Sequence, residues 1–512
     1  MMEIETSYII TFFTFLLFQF MVVNHWKKSK TQADGSKLPP GPWKLPLIGN
    51  LHQLVGSLPH HSLAHLARNH GPIMHLQLGE ISTLVFSTAE AACEVLKTHD
   101  IIFADRPQLL APKIMSYNCK DIGFSPYGDY WRQLRKICIL ELLSAKRVQS
   151  FDWIRQEEVS YMIESISQSQ GRLPVNVSDK FFALSNAIVC RAAFGGKFED
   201  QHELVELIKK AVKLAGGFDI PDLFPSFKIL HPISGMRSEL EKIHPRVDKI
   251  FDHLIEEHKI KRNKSMTMNS NEVGEEDLVD VLLKLQESGD LEFPITTDSI
   301  KAIILDMFTG GTETSSTVMG WAMSEMMRNP RVMKLAQAEV RKCLNGKEKI
   351  EEKDIEELNY LKLVIKETLR LHPPLPLLIP REAREKCQLR GYQVPVKTKV
   401  IVNAFAIGRD PKSWVNPESF EPERFHGSSI DFKGTNLEFI PFGAGRRICP
   451  GLTFGIANTQ FPLAKLLYHF DWELPNGIKS ETLDMTEAFG GTVTRKSDLY
   501  LIAKPYIPTI ED

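Results

Sequence analysis

The chain has 512 residues, 43% of them hydrophobic, so it can bury a large core, and no composition shift, repeat or low-complexity tract divides it after residue 50. Its 62 basic and 64 acidic residues are mixed along the chain for a net charge of −2, which excludes the basic footprint of a nucleic-acid binder. Seven scattered cysteines, an odd number, exclude a disulfide framework and a zinc ribbon; only Cys449 sits in unusual surroundings.

Residues 8–23 carry no charge, and with residues 24–26 the apolar stretch approaches the roughly 20 residues that span a bilayer. Glu3 and Glu5 precede it and Lys27, Lys28 and Lys30 follow, so the positive-inside rule places the carboxyl side in the cytosol. A cleaved signal peptide is the rival reading, but it lacks a small-x-small site and its basic cluster stands on the wrong side. Residues 1–30 are therefore expected to be a membrane anchor. Residues 31–50, in which Pro39, Pro40, Pro42 and Pro46 fix φ, read as a stiff hinge that holds the remaining domain, 51–512, at a set angle to the membrane.

Within that domain helical periodicity dominates, over residues 129–143, 156–167, 203–214, 238–264, 277–287, 297–328, 330–343, 359–371 and 452–469. β-branched runs at 73–78, 83–87, 393–394, 399–403 and 499–504 predict small sheets beside the helices. The expected class is mainly α with small β-sheets, an α+β arrangement in one large domain. From about 404 to 448 the chain is rich in Pro, Gly, Asp and aromatics with little periodicity, and so long an ordered coil usually has a functional cause.

Trp131 and Arg135 lie one helical turn apart, which alone reads as a buried aromatic beside a solvated cation. Residues 310–315 read GGTETS inside a helical pattern. Two adjacent helical glycines cost about 1 kcal/mol each against alanine, so either close helix packing or a flat ligand must account for them. Thr314 can turn its hydroxyl onto the carbonyl of Gly310, loosening the helix, and Glu313 alone would read as a solvated charge. Glu367 and Arg370 stand at i and i+3, whose ordinary meaning is a surface ion pair.

Residues 441–451 read PFGAGRRICPG, a loop in which Gly443, Gly445 and Gly451 give backbone freedom and Pro450 stiffens the exit. Such a loop can aim peptide N–H groups at the Cys449 sulfur. Arg446 and Arg447 add positive charge, and the helix starting just downstream adds its dipole, all favouring a thiolate. A phosphate loop lacks its GK[ST] ending and βαβ setting, and a nucleophilic cysteine lacks an obvious paired histidine. A thiolate bound to some metal or to haem remains.

PFGAGRRICPG resembles the haem-binding signature of the cytochrome P-450 superfamily, Phe-Gly-x-Gly-x-Arg-x-Cys-x-Gly, with Phe442, Gly443, Gly445, Arg447, Cys449 and Gly451 in its places. Four further motifs stand in family order at family spacing. Stretches such as KLPPGPWKLPLIGNLHQL and FADRP resemble the plant microsomal class, and the regions 216–225 and 484–489 look most like its terpenoid oxidases.

The resemblance implies the cytochrome P-450 fold, with an N-terminal transmembrane helix, and haem b whose iron takes Cys449 as axial thiolate. It assigns Trp131, Arg135, Arg447 and Arg381 to the propionates and places Phe442 and Gly443 in the cofactor loop. Glu313 would then pass protons and Thr314 would steady bound oxygen. Glu367 and Arg370 would join Arg424 of the Pro422-Glu423-Arg424-Phe425 box in a buried support. Pocket-lining stretches fall at 109–124, 212–220, 303–309, 375–379 and 488–492, with Asp306, Phe308, Leu377 and Phe489 as substrate contacts; Asp306 either orients a hydroxyl or amine or is an ordinary solvated or hydrogen-bonded acid.

The implied activity is oxidation of an apolar plant specialised metabolite by O₂, with electrons from NADPH through a separate membrane-bound NADPH–cytochrome P-450 reductase, toward which Arg132 and Lys136 would face. The implied location is the endoplasmic reticulum membrane. A terpenoid substrate, a diterpene among the candidates, is favoured over an alkaloid or phenolic. A reductase-independent isomerase or dehydratase, and a haem-binding scaffold without turnover, are the rival classes, and the complete oxygen-groove motif argues against both.

Overall fold

Thr297–Arg328 runs through the molecule as a 32-residue helix. Thr296 caps it, its hydroxyl accepting the Ser299 N–H at 3.2 Å, and residues on most of its circumference are buried, as befits a helix enclosed by others. It packs most extensively on Val177–Phe194, and also on Leu452–His469 and Asn359–Leu371. The structure is a computed structural model that describes residues 38–507 apart from 217, 229–231, 233, 269–275, 346 and 348–349. The expected anchor, 1–30, and residues 31–37 of the hinge lie outside the described residues.

The fold is mainly helical with small sheets, as the periodicity predicts. The helices Thr297–Arg328, Asn359–Leu371 and Leu452–His469 have their predicted bounds. The expected helix over 129–143 instead divides into Asp129–Ile137 and a wider π-helical turn, Cys138–Leu142, with no Gly or Pro to mark the change. Val177–Phe194 was not among the predicted elements. It starts with Asn176 accepting the Asp179 N–H and stops at Gly195 in the left-handed region, φ 69°. Eleven of its residues are buried, so no polar face alternates with an apolar one to reveal it.

Ile73–Leu78 and Ile81–Phe86 form an antiparallel hairpin; Ile81–Phe86 pairs in parallel with Lys399–Val402, which is flanked by antiparallel Arg381–Glu382. A second sheet joins Val175–Asn176, Tyr500–Pro505 and Phe470–Glu473, and a short pair joins Glu487–Ala488 to Thr494–Arg495. The proline-rich residues from 38 to 50 are tied to the first hairpin. The His75 N–H donates to the Pro40 carbonyl at 2.9 Å and the Asn50 N–H to that of Gln77 at 2.6 Å.

The aperiodic coil after Ala404–Ile407 is ordered by a buried ion cluster. Glu367 accepts two bonds from Arg370 at 2.7 Å each and one from Arg424 Nε at 2.9 Å. Arg370 spends its other donors on the carbonyls of Gly408, Pro417 and Ser419, and Arg424 donates to Val415 at 2.6 Å. The surface-pair meaning of Glu367 and Arg370 is thus corrected: both side chains are wholly buried. Among the described residues no helix is long and apolar enough to cross a membrane.

Candidate active site

A cavity of about 480 Å³ lies between the central helix, the loop carrying Cys449 and the segment 374–381. Cys449 sits deep in the protein, yet its side chain is exposed because it opens on this cavity. The loop is closed by the Cys449 N–H donating to the Phe442 carbonyl at 3.0 Å. Gly445 is required there: its φ is 67°, and a Cβ would stand 2.3 Å from the Leu96 carbonyl oxygen. Phe442 and Gly443 line the cavity beside it. Iron aside, the influences on the Cys449 sulfur are mixed. Burial is the largest influence and pushes the Cys449 thiol up; the Gly451 N–H and Arg135 pull it down by less.

Four guanidinium groups reach the cavity: Arg106, Arg135, Arg381 and Arg447. Arg447 donates to the carbonyls of Ala104, Ile122 and Ser125 and stacks 4.2 Å from the Trp131 ring; burial and neighbouring Arg381 push it down to about 9. Arg135 lies 5.6 Å from the same ring and makes no ion pair among the described residues. Arg381 also reaches the cavity and bonds Asp100 at 2.7 Å and the Ala444 carbonyl at 2.8 Å, so it braces the cysteine loop. Trp131 donates its indole N–H to the Ile122 carbonyl at 3.0 Å, which occupies its only donor. Arg106 was missed as a site residue. It is fully buried and donates to Gly123, Ile379 and Pro380 carbonyls, and its position before a proline in FADRP was the available signal.

The two helical glycines divide the explanations between them. A Cβ at Gly310 would meet nothing within 4 Å, so that glycine faces the cavity, whereas one at Gly311 would stand 2.8 Å from Val189 Cγ2 in the packing against Val177–Phe194. The Thr314 hydroxyl donates to the Gly310 carbonyl. Glu313 lines the cavity; burial pushes its carboxyl up, while a bond from Thr492 pulls it down.

Leu377, Phe489 and Asp306 also line the cavity, whereas Phe308 does not. Phe308 is buried against Phe194, ring centroids 5.5 Å apart, off the main cavity wall. Asp306 accepts the backbone N–H groups of Ile122 at 2.7 Å and Gly123 at 3.3 Å. Burial and the adjacent Asp121 hold its carboxyl well above the usual range. It clamps the 121–123 loop to the central helix, a hydrogen-bonded acid on the cavity wall.

This arrangement fits a flat macrocycle bearing two carboxylates: one soft sulfur on the cavity, a helix surface stripped of side chain at Gly310, and an excess of guanidinium groups around an otherwise apolar enclosure. Those features define a thiolate haem protein. The sequence profile described as Cytochrome P450 matches residues 39–502, and the chain belongs to that family. It is a haem-thiolate monooxygenase, an oxidoreductase that takes its electrons from a reductase. It is 55% identical to "Premnaspirodiene oxygenase" from Hyoscyamus muticus over 98% of this chain and 99% of that one. It is 58% identical to "Desmethyl-deoxy-podophyllotoxin synthase" from Sinopodophyllum hexandrum over 95% of each. A zebra fish cytochrome P450 structure with abiraterone shares the fold at a TM-score of 0.73 and 25% identity, covering 88% of this chain and 99% of its own.

Proposed function

We propose that the chain oxidises a terpenoid lodged in the 480 Å³ cavity, beside a haem b held by Cys449. The observation that carries this reading is the cavity lining. Leu109, Val318, Leu377, Ile401 and Phe489 supply apolar surface, and the nearby carboxyl of Asp306 is spent on backbone N–H groups. When bound, haem supplies the oxygen-activating chemistry that places an oxygen atom into a C–H bond. Arg135, Arg447 and Arg106 would hold its propionates, with Arg381 and Trp131 fixing the loops that carry them.

Thr314, turned onto the Gly310 carbonyl, keeps a hydroxyl at the edge of the space left by Gly310 and orients water there. Glu313 holds a proton at its carboxyl, which burial biases toward the protonated form, and the Thr492 hydroxyl sets its direction. Leu377 and Phe489 place the substrate. Glu367, Arg370 and Arg424 keep the cysteine loop in register.

Residues 1–30 are read as a single-pass anchor in the endoplasmic reticulum membrane, 31–50 as the hinge and 51–512 as the catalytic domain in the cytosol. NADPH–cytochrome P-450 reductase is the electron donor in this reading, facing Arg132 and Lys136. The uncharged 8–23 segment and the lysines after it support this, as do Trp43, Leu45, Leu47 and Ile48, which are exposed where the described chain begins. A phenolic substrate is kept as the second reading by the relative named for desmethyl-deoxy-podophyllotoxin. The full chain, reconstituted with reductase and NADPH, is expected to hydroxylate members of a sesquiterpene and diterpene panel. Turnover confined to phenolics or alkaloids would sink the terpenoid assignment.

A further inference from the structure

Apart from the haem-side residues, three histidines and a glutamate from distant parts of the chain meet. His60 and His61, in the first turn of Pro59–His70, bring their Nε2 atoms to 2.8 and 2.7 Å from Glu487 Oε2. His372, just past Asn359–Leu371, places Nδ1 4.0 Å from Glu487 Oε1. Its ring is held in one orientation. Nε2 bonds Glu325 Oε1 at 2.7 Å, and Trp321 stacks on it 4.0 Å away with 3° between the planes.

A carboxylate only accepts, so Nε2 donates its N–H to Glu325 and Nδ1 is the ring nitrogen left to face Glu487. That atom has no hydrogen-bond partner among the described residues, although the side chain is only 10% exposed. A buried ring nitrogen without a hydrogen bond, 4.0 Å from a carboxylate oxygen, calls for a cation or a water between them. An outer carboxylate that fixes a histidine tautomer and aims the other nitrogen inward is the usual second layer of a metal site.

We propose that His60, His61, His372 and Glu487 form a binding site for a divalent cation of the zinc class, with Glu325 orienting His372. Three imidazoles and one carboxylate suit a four-coordinate zinc ion. The donor atoms of His60, His61 and Glu487 already lie within 4.8 Å of one another. The Nε2–H groups that His60 and His61 now donate to Glu487 Oε2 would pass their protons to Nδ1 as the cation takes those nitrogens. Arg409 is the nearby opposing charge, and it is drawn to Glu418 at 3.1 Å. His61, 42% exposed, provides the way in.

The site would couple to the cavity. Glu487 opens the strand that leads into Phe489, His372 leads into the 374–381 wall, and the Val493 N–H joins them by donating to the Pro374 carbonyl at 2.9 Å. A bound cation would lock both walls to Pro59–His70.

The test uses the haem-loaded full chain, stripped of loose metal by chelator and titrated with Zn²⁺ alone. One equivalent is expected to bind, raising the thermal midpoint, with zinc-edge absorption giving nitrogen and oxygen neighbours at about 2.0–2.1 Å. His61→Ala, at a ligand 42% exposed, should abolish that equivalent. Glu325→Gln should weaken it by on the order of 10–100-fold. Absence of saturable zinc, or zinc binding unchanged in His61→Ala, would overturn the proposal and leave a water between His372 and Glu487.

Discussion

A methyl group added at Gly311 would sit 2.8 Å from Val189 Cγ2, whereas one added at Gly310 would meet only cavity. Gly310→Ala should therefore leave the fold intact or strengthen it by up to about 1 kcal/mol while cutting oxygenation, because the methyl takes the space beside Thr314. Gly311→Ala should cost about 1–3 kcal/mol through overpacking. Urea unfolding and product formation measure the two; the opposite order of stabilities would refute the division. In the sequence these glycines were visible as a pair needing a reason, but not as two residues with different reasons. Asp306 shows the same limit. Nothing near it in the chain announces that Ile122 and Gly123, more than 180 positions away, would direct their N–H groups to it.

At the level of elements, the Glu367 cluster binds Asn359–Leu371 to the coil that precedes the cysteine loop. Glu367→Gln strands two buried guanidinium groups and should cost roughly 3–5 kcal/mol, with loss of haem content. Arg331→Ala breaks only the exposed pair with Glu423 and should cost under about 1 kcal/mol. Equal effects on denaturant midpoint would show that the cluster carries no special load.

The hairpin that holds residues 38–50 carries a pH dependence. Burial pushes His75 down to about 4, so between its ordinary 6.5 and that value the unfolded chain binds the proton and the folded chain does not. Its contribution is whole above pH 6.5 and is lost as pH falls toward 4. Thermal melts across that window should fall less steeply for His75→Gln than for the parent; parallel curves would rule the residue out. The hairpin strand Ile73–Leu78 was readable from its β-branched run, whereas its tie to the proline segment was not, because that tie uses backbone groups common to every residue.

On the scale of the whole molecule, the cavity gathers Arg106, Arg135, Arg381 and Arg447 from four separate segments, and their excess charge is an expectation about the cofactor. Haem dimethyl ester, which lacks propionate charge, should load more weakly than haem b, and Arg135→Gln should narrow the gap. Equal loading of both haems by the parent, followed by visible absorption, would remove the arginines from cofactor binding.

The sequence by itself determined the helices at 297–328, 359–371 and 452–469, the cysteine loop and the family, since periodicity, turn glycines and signature spacing are set by residues within a few positions of one another. Only the tertiary structure decided what each polar side chain faces. It took Phe308 off the cavity wall, engaged Asp306 with a loop, set Arg381 on Asp100, added Arg106, and opened the Cys449 sulfur onto the cavity. Those outcomes depend on partners brought together across hundreds of residues and on the low dielectric they create, and neither is written in local order.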